Sequence, residues 1–183
     1  MISRKVKCLV IACNTISANA LPEIKKASPV PVFDVITPIL KKLDGQKAVV
    51  IGTKATINSG IYPIPGKACP LFVPLVEEGF ANSEMAVAAA KYYLLPLKKT
   101  ERLILGCTHF PIMKKAIEKV VGKKVTVTDP AEELARVIQD SIEPNINRGE
   151  RKFLVTDSVE KAREVAGNFW PQSLKDEWRQ VKL

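Results

Sequence analysis

Two stretches of this 183-residue chain echo one another in a way that suits proton transfer at carbon. Leu9-Val10-Ile11-Ala12-Cys13-Asn14-Thr15 aligns without gaps on Leu103-Ile104-Leu105-Gly106-Cys107-Thr108-His109: an apolar run, a small residue, a cysteine, then two polar residues. Each cysteine falls where a strand hands over to a helix, and in open α/β sheets ligands bind at the carboxyl ends of strands. Helix N-termini add unpaired N–H groups and partial positive charge, which lower a thiol's pKa and attract carboxylates. Two such elbows facing one cleft set a thiol on either side of a small anionic substrate. Inverting a stereocentre needs that arrangement, because one base removes a proton from one face while a conjugate acid delivers a proton to the other. On this reading Cys13 and Cys107 are the acid/base pair. Asn14 and Thr108, which follow them, hydrogen-bond a substrate carboxylate, and His109 sets the protonation of the thiol or assists the transfer.

A lone strand-end cysteine is more often core than catalyst; the matched surroundings of two are what raise Cys13 and Cys107 above that reading. Cys8 and Cys69 are read the other way, as core and as loop packing. Cys8 and Cys13 are five apart, so on an extended strand they face opposite sides and do not easily share a metal. No C-x-x-C occurs. Gly52-Thr53-Lys54-Ala55-Thr56, after the apolar run Val49-Val50-Ile51, is suited either to capping a helix or to cradling a carboxylate with hydroxyls and N–H groups. It lacks the spacing of a phosphate-binding P-loop. Glu77-Glu78 has two readings, cleft residues or, as is usual for adjacent acids, a solvated surface.

Short runs rich in Val, Ile and Leu alternate with helical patterns, which predicts an α/β fold, a parallel sheet covered by helices on both faces in three layers. Strands are expected at Lys7–Ala12, Val30–Phe33, Lys47–Ile51, Arg102–Leu105, Lys124–Val127 and Lys152–Val155. One helix has Pro111 in its first turn, an apolar stripe of Ile112, Met113, Ala116, Ile117, Val120 and Val121, and Gly122 at its end. A second starts at Asp129-Pro130-Ala131-Glu132, and a third is capped by Ser83 and stops near Pro96. Seams at Thr37-Pro38 and Thr128-Asp129-Pro130 suggest two lobes, one built from residues 1–38 and 129–183, the other, residues 39–128, inserted between them.

The composition is that of an ordinary globular chain, 46% hydrophobic and 26% charged, and excludes disorder and collagen. A formal charge of +9 favours anionic partners without naming one, and with 6% aromatics not interleaved with basic residues, nucleic-acid binding is not indicated. Four cysteines and one histidine are too few for a disulfide scaffold or a dense metal site, so a reducing, cytoplasmic setting is the default. The N-terminus imitates an export signal, with Arg4, Lys5 and Lys7 before Cys8-Leu9-Val10-Ile11-Ala12. Its apolar core falls short of the about 7 to 15 residues such a signal needs, and a buried strand is expected instead. No stretch approaches the ~18 to 20 uninterrupted apolar residues of a membrane span.

Taken together, Ala12-Cys13-Asn14-Thr15 and Leu105-Gly106-Cys107-Thr108-His109-Phe110-Pro111 resemble the two signature elbows of the glutamate racemases, within the aspartate/glutamate racemase superfamily. Val50 to Thr56, Ser59-Gly60-Ile61-Tyr62 and Cys69 to Glu77 also resemble that family, in its order. The Cys-Thr-His form of the second elbow favours glutamate over aspartate racemases, which typically carry Cys-Thr-Glu there. The resemblance implies racemisation of glutamate for peptidoglycan precursors without a cofactor. It also implies Cys13 and Cys107 as paired bases, and Asn14, Thr15, Thr53, Thr56, Thr108 and His109 lining the substrate site. Relatives commonly dimerise, so a homodimer is expected. Members of the family also carry an Asp-Ser-Gly-x-Gly-Gly turn and a Pro-Tyr-Gly before the first elbow, whereas here twelve residues precede Cys13. The expectation is therefore a first lobe lacking its opening strand, from a misplaced start, a shortened gene or a fragment. The alternative function is a noncatalytic remnant that binds a dicarboxylate or a protein partner.

Overall fold

The computed structural model describes residues 6–43, 47–97, 100–143 and 149–182. In chain order the elements are β1 (Leu9–Ile11), α1 (Asn14–Ala27), β2 (Val32–Asp34), α2 (Thr37–Leu40), β3 (Ala48–Gly52), α3 (Lys54–Asn58), β4 (Gly66–Ala68), α4 (Phe72–Glu77), α5 (Glu84–Leu94), β5 (Arg102–Gly106), α6 (Lys114–Val121), β6 (Thr126–Thr128), α7 (Pro130–Ser141), β7 (Lys152–Val155), α8 (Val159–Gly167) and β8 (Glu177–Gln180). Strand and helix alternate almost without exception, and every strand pair is parallel. The chain is therefore α/β, as its patterning predicts.

The central sheet runs β4-β3-β5-β6, with β1-β2 and β7-β8 as separate two-stranded sheets. Alternation along β5 divides the core. Leu103 and Leu105 face Phe72, Tyr93, Phe110 and Ile117 on one side, while Ile104 joins Val50, Ile39, Tyr62 and Leu134 on the other. Strand residues of period two thus bury both faces, and each face is covered by helices. The aromatic centre of the first cluster is Phe72, edge-on to both Tyr93 and Phe110.

Local signals set the helix ends. Ser83 accepts from the Ala86 N–H and starts α5, Asp129 accepts from the Ala131 N–H and starts α7 with Pro130 in its first turn, and Gly122, at φ 83°, ends α6. The turn at Pro111 differs from expectation. Phe110–Met113 is a 3₁₀ helix, and α-helical geometry begins only at Lys114. The first two strands are shorter or shifted, Leu9–Ile11 and Val32–Asp34 in place of Lys7–Ala12 and Val30–Phe33, and β6 starts at Thr126.

Two expectations about burial are corrected. β1 is not a fully buried strand, because Leu9 is buried while Val10 is 42% exposed, its face uncovered among the described residues. Cys8 is half-buried rather than core. Cys69, the residue after β4, packs as expected in the loop that leads to α4, fully buried in the cluster of Phe72 and Tyr93.

Candidate active site

Three strands deliver their carboxyl ends to one region, and each hands over to a helix there. β1 leads to Cys13, which occupies the N-cap position of α1 in an extended conformation, and the Ser17 N–H already bonds to its carbonyl. The helix behind it has no acid in its first turn and Lys25 and Lys26 in its last. Its dipole therefore presents undiminished positive character beside the sulfur. β5 leads to Cys107, whose carbonyl accepts from the Phe110 N–H as the 3₁₀ turn begins. β3 leads to Thr53, whose hydroxyl caps α3 by accepting from the Thr56 N–H.

Glycines let β3 and β5 end side by side. Gly52 and Gly106 are register partners, and a methyl group on Gly106 would sit 2.8 Å from Val50 and 2.9 Å from the Ile51 carbonyl oxygen. The small residue before the second cysteine is thus a packing requirement of the sheet end.

Of the residues singled out from sequence, most meet. Thr15, Thr53 and Thr56 close a triangle of hydroxyls, with Oγ1–Oγ1 distances of 2.9 Å for Thr15–Thr53 and 3.1 Å for both Thr15–Thr56 and Thr53–Thr56. This ties the α1 elbow to the α3 elbow. Asn14 is buried and its Oδ1 accepts from the Tyr62 hydroxyl at 2.8 Å. Burial, with the Asp34 charge adding to it, raises the Tyr62 pKa, so this phenol stays a donor. Thr108 is exposed, and among the described residues its side chain makes no hydrogen bond within the cluster.

The second elbow sets Cys107, His109 and Glu77 in a row. His109 Nδ1 lies 3.9 Å from the Cys107 sulfur, and its Nε2 lies 3.3 Å from Glu77 Oε1 at the end of α4. An imidazole that donates from Nε2 to this carboxylate turns its Nδ1 lone pair to the thiol. Burial pushes the Cys107 thiol above its ordinary pKa, and a negative charge on Cys13 or Glu77 raises it further. The His109 and Phe110 N–H groups pull the other way.

Glu77 is the functional candidate that residue patterns left undecided. Its signal was present in the stretch from Cys69 to Glu77, but only the fold of α4 separates it from Glu78. Tyr62 is a second such residue, a buried phenol supporting Asn14. The Asn168 side chain donates to the Glu77 carbonyl at 3.1 Å and fastens the end of α8 to the end of α4.

Among the described residues no group of His, Cys, Asp and Glu is arranged to hold a metal, and no helix is long and apolar enough to cross a membrane.

A fold of parallel strands, two of which hand over to a cysteine at the start of a helical turn, defines a class, and comparison with known proteins supplies the family. Residues 1–138 match the Asp/Glu/Hydantoin racemase family, to which the chain belongs. Glutamate racemase of Thermus thermophilus is 42% identical over 178 residues, covering 91% of this chain and 69% of the relative. That of Geobacter metallireducens is 34% identical over 206 residues, covering 100% and 76%. Among solved structures, Thermus thermophilus glutamate racemase in complex with β-chloro-D-alanine superposes with a TM-score of 0.87 at 40% identity, over 100% of this chain and 75% of that one. Francisella tularensis glutamate racemase in complex with D-glutamate gives a TM-score of 0.87 at 34% identity, over 99% and 75%.

Proposed function

We propose that the chain interconverts L- and D-glutamate by proton transfer between two thiols, without a cofactor. The observation that supports this reading is geometric: β1 and β5 each hand over to a cysteine at the start of a helical turn, and Thr15, two residues after Cys13, bonds Thr53 at the end of β3, the strand that pairs with β5.

One cysteine, as thiolate, takes the α-proton, forming an S–H bond and leaving the C–H electron pair on the α-carbon. Delocalisation into the carboxylate, with hydroxyl and N–H donors around it, stabilises that pair. The other cysteine, as thiol, releases its proton to the opposite face and becomes the thiolate. The configuration is inverted, and the thiols have exchanged protonation states, so the reverse reaction uses them in the opposite roles. Its raised pKa makes Cys107 a thiol in the resting protein, with Nδ1 of His109 placed to take the proton when Cys107 must act as base.

Asn14, Thr15, Thr53, Thr56, Thr108 and His109 form the substrate surroundings in this reading. The hydroxyl triangle and Asn14, held by Tyr62, supply donors for the carboxylates. The two lobes, residues 1–38 with 129–183 and residues 39–128, are the bodies between which substrate sits. D-glutamate then feeds peptidoglycan precursor synthesis in the cytoplasm, and the working assembly is a homodimer.

The test is racemisation of either enantiomer followed by circular dichroism with no cofactor added. Loss of optical activity with the native chain, abolished in both Cys13→Ser and Cys107→Ser, supports the proposal. A folded chain that binds glutamate and leaves its configuration untouched overturns it in favour of the dicarboxylate-binding remnant.

A further inference from the structure

Asn14 opens α1, directly after Cys13, and is only 2% exposed. One end of its amide is accounted for: Oδ1 accepts a 2.8 Å hydrogen bond from the hydroxyl of Tyr62, which reaches it from the segment between α3 and β4. The other end is not. Nδ2 makes no hydrogen bond among the described residues, yet the fully buried side-chain atom left without a partner among them is Asp176 Oδ2, not this nitrogen. Nδ2 therefore meets open space at the carboxyl end of β1, with Cys13 and Thr15 on either side of it in sequence.

The last torsion of an asparagine has two broad settings that exchange donor for acceptor, so a single partner decides between them. Tyr62 is suited to decide. It is itself buried, and burial together with the Asp34 charge keeps the proton on its oxygen. The competing acceptor is already occupied, because Asp34 Oδ1 takes the Ile36 and Thr37 N–H groups and Oδ2 takes the Thr37 hydroxyl. The phenol hydrogen is left for Asn14 Oδ1. In the reversed setting the phenol would have to accept from Nδ2, and its own hydrogen would lie buried without an acceptor.

The bond is not needed to tie the two segments together, since Thr15 already bonds Thr53 and Thr56 across the same junction. What Tyr62 adds is direction. We infer that Tyr62 is a positioning residue that acts through Asn14, fixing the amide so that Nδ2 faces the substrate as a donor, a role that rests on the glutamate reading above. A nitrogen held forward takes a carboxylate oxygen at this point of the site and turns the substrate ammonium elsewhere. Released from Tyr62, the amide also populates the setting with oxygen forward, which repels the same carboxylate. Ground state and transition state lose that contact alike, so the effect falls on KM.

The experiment is steady-state kinetics from L- and D-glutamate, with calorimetric binding of glutamate in parallel, for the native chain, Tyr62→Phe, Asn14→Ala and the double variant. Tyr62→Phe keeps the ring in the cluster of Ile39, Val50 and Ile104 and removes the hydroxyl alone. It should raise KM and Kd about three- to tenfold, the worth of one hydrogen bond, with kcat held within about twofold. Asn14→Ala should raise them at least as far. Adding Tyr62→Phe to Asn14→Ala should then change them by less than about twofold, because the phenol has no amide left to orient. A Tyr62 that only braces the fold would shift the urea midpoint and leave KM and Kd alone, or would weaken binding by the same factor with Asn14 present or absent, and either result overturns the inference. A native chain that binds glutamate without racemising it overturns the racemase reading and still tests Tyr62 through Kd. A native chain that neither binds nor racemises glutamate overturns both.

Discussion

His109 Nε2 and Glu77 Oε1 stand 3.3 Å apart, joining the strand-end loop of β5 to the last residue of α4. A carboxylate at that nitrogen fixes the tautomer that leaves Nδ1 free for the Cys107 sulfur. Glu77→Ala should therefore lower kcat by about ten- to a hundred-fold, within the range that a positioned acid/base partner contributes. Glu77→Gln, which still accepts from Nε2–H, should recover part of the loss. The check is kcat and KM for both enantiomers. A purely structural Glu77 would depress them alike and leave the pH profile unmoved.

The pH profile itself has a direction. Because burial holds the Cys107 thiol above its ordinary pKa, turnover of the enantiomer for which it is the base should rise with pH into the alkaline range. The opposite direction, which uses the same group as acid, should fall there. His109→Asn should move the rising limb further alkaline, measurable as initial rates from each enantiomer across pH.

The hydroxyl triangle predicts a split between binding and stability. Thr53 caps α3 as well as meeting Thr15, so Thr53→Ala should cost about 1 kcal/mol in thermal or urea unfolding, as lost caps do. Thr15 caps nothing. Thr15→Val removes two of the triangle's hydrogen bonds but no cap, so it should cost no more than about 0.5–1.5 kcal/mol and act chiefly on the KM for glutamate.

How much of this was legible beforehand depended on whether a single local rule governed the position. Ser83, Asp129 and Gly122 marked helix ends through capping and through the left-handed conformation that glycine tolerates, and those ends stand where the residues put them. The α/β class followed from apolar runs broken at regular intervals. The cysteine elbows were visible because strand, small residue and thiol are contiguous. β4, with the sequence Gly-Lys-Ala, carried no apolar run and was missed; it exists because its backbone pairs with β3, not because its side chains demand burial. Glu77 was undecided for a similar reason, since its partner His109 is remote in sequence and only the packing of Phe72 against Phe110 brings α4 to the second elbow. The exposed side of β1 was misread because an apolar run signals burial without stating which neighbours supply it.

Gly106 predicts a packing penalty. A methyl group there meets Val50 and the Ile51 carbonyl at distances below ordinary contact, and the carbonyl belongs to backbone in the middle of the sheet. Gly106→Ala should destabilise by roughly 1–3 kcal/mol, against less for Gly52→Ala, whose methyl would meet the Gly106 oxygen at 3.1 Å. Paired urea unfolding curves give the comparison.

Alkaline stability should carry the signature of Cys69. Burial pushes this thiol up to about 12, with Lys67 opposing. Below the ordinary thiol pKa of about 8.5 the group is protonated in both states and its contribution is intact. As pH rises above that value the unfolded chain gives up its proton while the native one keeps it, so stability falls by up to ~1.4 kcal/mol per pH unit until the folded pKa is reached. Cys69→Ala should flatten this part of the alkaline decline, read from urea unfolding at a series of pH values between the two limits.

The central claim, two thiols working from opposite faces of one α-carbon, is tested most directly by exchange of the α-proton in deuterated water, measured separately from L- and D-glutamate. The account predicts that deuterium enters with racemisation in the native chain. Cys13→Ser and Cys107→Ser should each abolish racemisation, with residual exchange confined to one enantiomer and the enantiomer differing between the two variants. Exchange of both enantiomers at the native rate in a chain carrying both substitutions would contradict it.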